Sequence, residues 1–389
     1  MRKGIIMGIS SLDVNNGPVT TPEVDILLQN GQIIDPAQGM NEKGSIAIKD
    51  GRIAAIGSDL ASYRAKTVFD MSGKIVAPGL IDIHAHPAGD FTRLGVQADE
   101  FGVQCGVTAI GDGGTSGAAN FQAFRKYVIE TAKTRIYAFL NIAKAGLIDI
   151  PELHTIFDID EDRTRQVVEA HRDVIKGMKI RVVEPLADGV GIKAVETAKG
   201  LAEEFRLPLM MHIGEPRERV ADDRMDIFSR QAVSLLDRGD ILSHYLTWEP
   251  GGMILPDGTI YPELARARDR GVYLDACHGL WHFRFSTARL GLASGFKPSL
   301  ISTDLTPLGL HTVQSLPVTM SKFLNLGLTL EEVIAATTIN PAMALGEEDR
   351  LGSLKAGMTV NITVLEALTG DFLFSDGNGG ESMRGERLL

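Results

Sequence analysis

Val76-Ala-Pro-Gly-Leu-Ile-Asp-Ile-His-Ala-His-Pro87 decides how the chain is read: an apolar run, broken by Pro78-Gly79, that ends in two histidines two positions apart. Side chains alternate faces along a strand, so His84 and His86 point the same way. Two imidazoles at the end of a buried strand each need a partner, and a divalent metal satisfies both at once. The bland alternative is a pair of hydrogen-bonded core histidines. The apolar run marks a strand buried on both faces, and metal ligation suits that setting better.

Downstream of Leu80, short apolar strands alternate with helix-period stretches about every 30 residues, as in repeated strand-helix units. The strands expected are Leu80–His84, Val107–Asp112, Ile136–Ile142, Gly177–Val182, Leu209–Ile213, Ile241–Tyr245, Val272–Ala276 and Leu300–Asp304. Eight parallel strands predict an α/β protein built on a closed (β/α)8 TIM barrel over residues 78–344. Gly191–Phe205 and Leu330–Ile339 carry apolar positions at helical spacing.

Upstream, residues 23–77 have the texture of a small antiparallel sheet. Val24-Asp-Ile-Leu-Leu-Gln, Gln32-Ile-Ile-Asp, Gly44-Ser-Ile-Ala-Ile-Lys, Arg52-Ile-Ala-Ala-Ile-Gly and Thr67-Val-Phe-Asp alternate, with turn pairs at Asn30-Gly31, Asp50-Gly51 and Ser72-Gly73. Strand texture returns after Leu345 in Gly352-Ser-Leu-Lys-Ala-Gly and Val360-Asn-Ile-Thr-Val-Leu. Residues 345–389 are too few to fold alone, so they are expected to join residues 23–77 in a small β-sandwich domain, ending in a turn-rich tail. Residues 1–22 read as a loosely attached N-terminal extension.

A formal net charge of -11 over 389 residues argues against a nucleic-acid surface. Two cysteines, Cys105 and Cys277, are too few for a disulfide framework and suit a reducing compartment. Neither a spanning apolar run nor a leader pattern is present, so the expectation is a cytoplasmic protein with a small-molecule substrate and neither membrane nor nucleic acid as partner.

Barrel enzymes carry their reactive groups at the carboxyl ends of the strands. Here strand 1 ends in His84 and His86, strand 4 carries Lys179, strand 5 ends in His212 and strand 6 in His244. Strand 7 leads to His278, and strand 8 ends in Asp304. Five of the nine histidines at such positions exceed what chance would place there.

The motifs Pro78-Gly-Leu-Ile-Asp-Ile-His-Ala-His, Gly177-Met-Lys-Ile-Arg, Met211-His-Ile-Gly-Glu, Asp240-Ile-Leu-Ser-His, Asp275-Ala-Cys-His-Gly and Ile301-Ser-Thr-Asp-Leu resemble those of the amidohydrolase superfamily. The resemblance runs from Val24 to about Leu365 and is strongest to the amidohydrolase/deacetylase, or dihydroorotase-like, branch. Members of that branch commonly cleave N-acyl or O-acyl bonds of small carboxylic acids. A protonated lysine repels a metal, but a buried one has a depressed pKa, and its neutral amine can take up carbon dioxide. The resemblance implies this modification: a carboxylated Lys179 bridging two divalent ions, most suitably zinc.

It also implies that His84, His86, Lys179 and Asp304 hold the more buried ion and Lys179, His212 and His244 the more exposed one. A hydroxide shared between the ions would attack the scissile carbonyl, and Asp304 would carry its proton to the leaving group. Homo-oligomers are common among barrels of this kind.

Substrate contacts are expected from His278, by hydrogen bonding, with packing against Trp281 or His282 as the equal alternative, and from Arg181 and Arg217, either as clamps on a carboxylate or equally as structural ion-pair partners. His154, His171, His282 and His311 read as solvent or loop histidines. The loop Thr247-Trp-Glu-Pro-Gly-Gly-Met-Ile-Leu-Pro-Asp-Gly reads as a cover over the site or an inert surface loop. Gly111-Asp-Gly-Gly-Thr-Ser-Gly-Ala lacks the lysine of a phosphate loop and reads as close backbone approach to the site.

Dihydroorotases typically follow the histidine pair with an arginine, whereas Pro87-Ala-Gly-Asp follows here. Deaminases of the superfamily generally lack the strand-4 lysine. The reading is therefore a binuclear hydrolase of amide or ester bonds. A lactonase or phosphotriesterase-like enzyme, or a cyclic-amide hydrolase, is the alternative. A non-catalytic barrel scaffold is the reading from another class, and the intact ligand set opposes it.

Overall fold

The computed structural model describes residues 22–389 apart from Asp149 and Asp222, so the expected extension lies, except for Pro22, outside the described residues. Five strands open the chain: β1 (Glu23–Asp35), β2 (Met40–Lys49), β3 (Arg52–Gly57), β4 (Arg64–Asp70) and β5 (Ile75–Pro78). β1 pairs antiparallel with β2 and parallel with both β4 and β5. Asp50 and Gly51 both have positive φ, 50° and 68°, as a two-residue hairpin between β2 and β3 requires. Asn30-Gly31, in contrast, is not a turn. β1 runs straight through it with a bulge between Leu28 and Gly31, because a Cβ on Gly31 would come within 2.7 Å of Val76 Cγ2 and only glycine lets β5 approach.

Seven parallel strands follow: β6 (Leu80–Ala85), β7 (Val107–Asp112), β8 (Arg135–Asn141), β9 (Ile175–Val182), β10 (Leu209–Ile213), β11 (Ile241–Ser243) and β12 (Tyr273–Asp275). They hydrogen-bond in strict chain order into one curled sheet. The eighth expected strand, Leu300–Asp304, is not a regular one. It makes one isolated bridge, Leu300 to Asp275, yet its backbone spans the gap: the His278 N–H donates to Ser302 O (2.9 Å) and the Asp304 N–H to His84 O (2.7 Å). Its polar side chains are turned to buried carboxylates, Ser302 to Asp275 and Thr303 to Asp82, and Asp304 has φ 48°. Side-chain bonds of this kind compete with the ladder.

The helices cover the outer face of the sheet. Helix Ile192–Phe205 buries Ala194, Val195, Ala198, Leu201, Ala202 and Phe205, the one-sided stripe its periodicity predicted. Helix Leu330–Thr337 starts at a capping box between Thr329 and Glu332. No helix among the described residues is long and apolar enough to cross a membrane.

The C-terminal segment divides. β13 (Ile362–Leu365) pairs antiparallel with β5 and joins β1–β5, so segments before and after the parallel strands meet in one six-stranded mixed sheet. This differs from the expected sandwich of two facing sheets. β14 (Ala367–Ser375) and β15 (Ser382–Leu388) form a separate hairpin laid on helix Leu316–Asn325, where the Leu388 N–H donates to Ser321 Oγ and Asn325 Nδ2 donates to Glu386 O. The turn of that hairpin reaches the segment after β12 through Gly377 N–H to Phe283 O (2.8 Å).

Candidate metal centre

The carboxyl ends of the parallel strands bring His84, His86, Lys179, His212, His244 and Asp304 to one place. His86 Nε2 lies 3.1 Å from Asp304 Oδ1, His84 Nε2 lies 3.8 Å from the same oxygen, and His244 Nε2 lies 3.7 Å from Asp304 Oδ2. Lys179 Nζ is 3.0 Å from His84 Nε2. The rings of His212 and His244 meet edge to face with centroids 4.4 Å apart. The Nε2 atoms of His212 and His244 are buried with no hydrogen-bond partner among the described residues. An unpaired buried acceptor costs about 1–3 kcal/mol, so a pair aimed at one point is built for a guest that accepts lone pairs. A divalent cation fits that donor set.

Outer partners fix the direction of each ring. Ser243 Oγ donates to Asp275 and so accepts from His84 Nδ1 (3.1 Å), leaving the His84 Nε2 lone pair facing Lys179 and Asp304. His244 Nδ1 donates to Cys277 O (2.7 Å), and His86 Nδ1 lies 2.8 Å from Thr115 Oγ1. His244, Cys277 and Asp304 all have positive φ, 64°, 32° and 48°. Non-glycine residues held in that region carry strain, which the buried bonds around them must outweigh. Both cysteines are free thiols.

The glycine-rich segment after β7 is the close backbone approach its sequence suggested. A Cβ on Gly113 would sit 2.3 Å from His84 Cδ2 and 2.5 Å from its Nε2, and one on Gly114 would sit 2.5 Å from Lys179 Cγ. The Gly113 N–H is tied to Ala85 O (2.9 Å), so the backbone cannot withdraw. Gly113→Ala is therefore expected to displace His84 and lower bound metal to half or less. Overpacking of this kind also costs about 1–3 kcal/mol of stability. Elemental analysis beside thermal unfolding checks this; full metal content in the variant would contradict it.

Burial dominates the electrostatics. It pushes His84 down to about 4 and holds His212 and His244 well below the usual histidine range, so these rings are neutral with lone pairs available. Burial also lowers Lys179 to about 8. For Asp304 burial pushes upward, but the hydrogen bond from His86 and the neighbouring imidazoles outweigh it and hold the carboxyl well below its ordinary value.

Above these groups opens a cavity of about 170 Å³, walled by Leu147, Ile150, Trp281 and Leu308. Arg181 reaches this wall, and its one side-chain hydrogen bond among the described residues goes to Glu152 (3.0 Å). Arg217 does not reach it. Its guanidinium is occupied by Glu184 and, through two bonds, by Asp223, which makes it a structural ion-pair residue. His278 also turns away from the cavity: it stacks on Phe283 (4.4 Å) with Nδ1 on Gly279 O and Nε2 2.7 Å from Lys322 Nζ. The loop after His244 is neither lid nor inert surface, since Thr247–Ile254 is packed inside with Arg284 over the Trp248 ring.

His282 is the residue the sequence reading missed. It is buried, lines the cavity and lies with its ring 4.2 Å from that of His244 and 4.8 Å from that of His212. The signal was Gly279, where φ is 57° and a Cβ would meet Asp304 Oδ2 at 2.9 Å. That approach turns the chain back over the site and brings in the histidine three residues later.

Strand-end imidazoles, a lysine and a carboxylate around one cavity define a metal-dependent hydrolase. The sequence pattern of the amidohydrolase family matches residues 75–378, and the chain belongs to that family. A deacetylase of Agrobacterium fabrum is 32% identical over 369 residues, covering 93% of this chain and 88% of that protein. A deacetylase of Brucella anthropi is 34% identical over 340 residues, covering 86% and 82%. Among solved structures, one described as a dihydroorotase matches with TM-score 0.83 at 32% identity, covering 93% of this chain and 95% of its own. Another, described as an adenine deaminase, matches with TM-score 0.85 at 28% identity, covering 94% and 96%. The chain is a hydrolytic enzyme acting on C–N bonds.

Proposed function

We propose that this chain is a binuclear deacylase that hydrolyses an amide or ester bond of a small carboxylate-bearing substrate, with an acetyl group as the acyl part. The observation that carries the reading is Asp304. Its Oδ1 faces His86 and His84 while its Oδ2 faces His244, so one carboxylate touches two groups of imidazoles that each suit an ion. His84, His86 and Asp304 would hold one ion and His212 and His244 the other, with Lys179, as its carbamate, contributing to both. Bound there, two divalent ions supply Lewis acidity that polarises a carbonyl and acidifies a water.

The chain's own residues then divide the remaining work. Asp304, ionised at neutral pH, accepts the proton of the attacking water at its carboxylate and returns it to the leaving amine or alkoxide. Arg181, on the cavity wall, pairs with the substrate carboxylate, which explains why its guanidinium is only partly engaged by Glu152. Leu147, Ile150 and Trp281 cover the apolar body of the substrate and exclude bulk water. A cavity of about 170 Å³ suits a small acid. Zinc matches the imidazole and carboxylate donors.

Support for acyl cleavage over ring opening comes from Pro87, which stands where dihydroorotases typically carry an arginine, and from the engagement of Arg217 elsewhere. The test is purification with zinc, elemental analysis, native mass for a carbon dioxide adduct, and a screen of N-acetyl and O-acetyl acids beside lactones and cyclic amides. About two ions per chain and metal-dependent acetate release are expected. Turnover confined to lactones or cyclic amides would replace the substrate assignment, and no metal-dependent turnover of any of them would refute it.

A further inference from the structure

We infer that His282 is a direct ligand of the more exposed ion, so that this ion is gripped by three histidines, His212, His244 and His282. The assignment rests on the metal-dependent reading above and extends it to a residue outside the strand-end set. Ligand atoms of the three rings lie within 4.8 Å of one another, and all three rings are buried. Two of the three, His212 and His244, have an Nε2 with no hydrogen-bond partner among the described residues. His282 joins the cluster from the segment after β12, the strand next to β11 in the sheet, while His212 and His244 stand at the ends of β10 and β11.

The ring of His282 is also oriented for the task. Its Nδ1 lies 3.4 Å from Thr247 Oγ1, so with the proton on Nδ1 the Nε2 lone pair is left for the cluster. Metal-bound histidines are commonly set by such an outer partner on the other ring nitrogen. The ring cannot swing freely: it is packed against His212 and His244, and Thr247 is itself fully buried.

His282 lines the same cavity as Trp281, and its ring packs on those of His212 and His244. Three imidazoles make a complete protein set for a catalytic zinc. The exposed ion would accordingly stay bound without a carbamate on Lys179.

The experiment strips metal from the wild type, His282→Asn and His282→Gln, then titrates each with cobalt(II) while following visible absorption and stoichiometry. Two ions are expected in the wild type. In His282→Asn the weaker ion is expected to lose about 100-fold or more in affinity with a changed cobalt spectrum, while the tighter ion is retained. His282→Gln, which places an amide oxygen near the Nε2 position, should recover part of that affinity, and a normal thermal transition in either variant excludes misfolding. Two ions in all three proteins with unchanged affinity and spectrum overturn this assignment alone, whether or not KM rises. Failure of the wild type to bind cobalt or zinc overturns the proposed function and the His282 assignment together.

Discussion

Asp304→Asn is expected to lower kcat for acyl hydrolysis by about 10³-fold, within the range that a positioned general acid–base group contributes. KM should change little, because the carboxylate acts on the water and the leaving group and not on the substrate's binding groups. Asparagine is the informative replacement for a backbone reason. Residue 304 has φ 48° and donates its N–H to His84 O at 2.7 Å, and asparagine tolerates that left-handed conformation whereas alanine adds strain. The amide oxygen can still face one imidazole group, so the measurement separates proton transfer from collapse of the site. Metal content and the thermal transition are recorded with the kinetics. An Asp304→Asn enzyme that keeps its ions and its wild-type kcat would remove Asp304 from the chemistry.

The positions of these residues were legible because each ends a short apolar strand, and burial on both faces leaves a run that sequence alone displays. β7 and β10 were read to the residue, and five other strands to within two residues at either end. Direction was not legible. His278 and His282 lie four apart in one loop, yet His278 faces Lys322 and Phe283 while His282 faces His212 and His244, with Gly279 at φ 57° between them. Arg217 stayed open between a substrate clamp and an ion pair for a related reason: its partners Glu184 and Asp223 come from separate segments that only the folded chain brings together. Asn30-Gly31 carries turn chemistry but serves as a bulge, since contact with Val76 outweighs local preference. Leu300–Asp304 has strand composition, but Asp275 and Asp82 claim its hydroxyls. In each case long-range partners decided what local pattern left open.

Lys179→Ala is expected to reduce hydrolysis by about 10³-fold or more, since in the proposed binuclear centre losing one of the two ions removes several kcal/mol of charge stabilisation. The remaining ion should be the one held by His212, His244 and His282. Lys179→Arg is the sharper control: a guanidinium stays protonated, cannot form a carbamate and would place a fixed positive charge 3.0 Å from His84 Nε2, so bound metal should fall further than with alanine. The same residue sets a pH dependence. Carbamate formation consumes the neutral amine, and burial brings Lys179 to about 8. Below that pH the neutral fraction rises about tenfold per unit, and above it the fraction saturates. Reactivation of metal-free enzyme by zinc at a fixed pressure of carbon dioxide should therefore accelerate from pH 6 to about 8 and then level off. An ordinary exposed lysine, with its pKa near 10.4, would keep accelerating through about pH 10. Loss of the carbon dioxide dependence in both variants, with the plateau near 8 in the wild type, would place the modification on Lys179. A rate that climbs unbroken past pH 9, or that ignores carbon dioxide, would show that an unmodified lysine or some other group fills the bridging position.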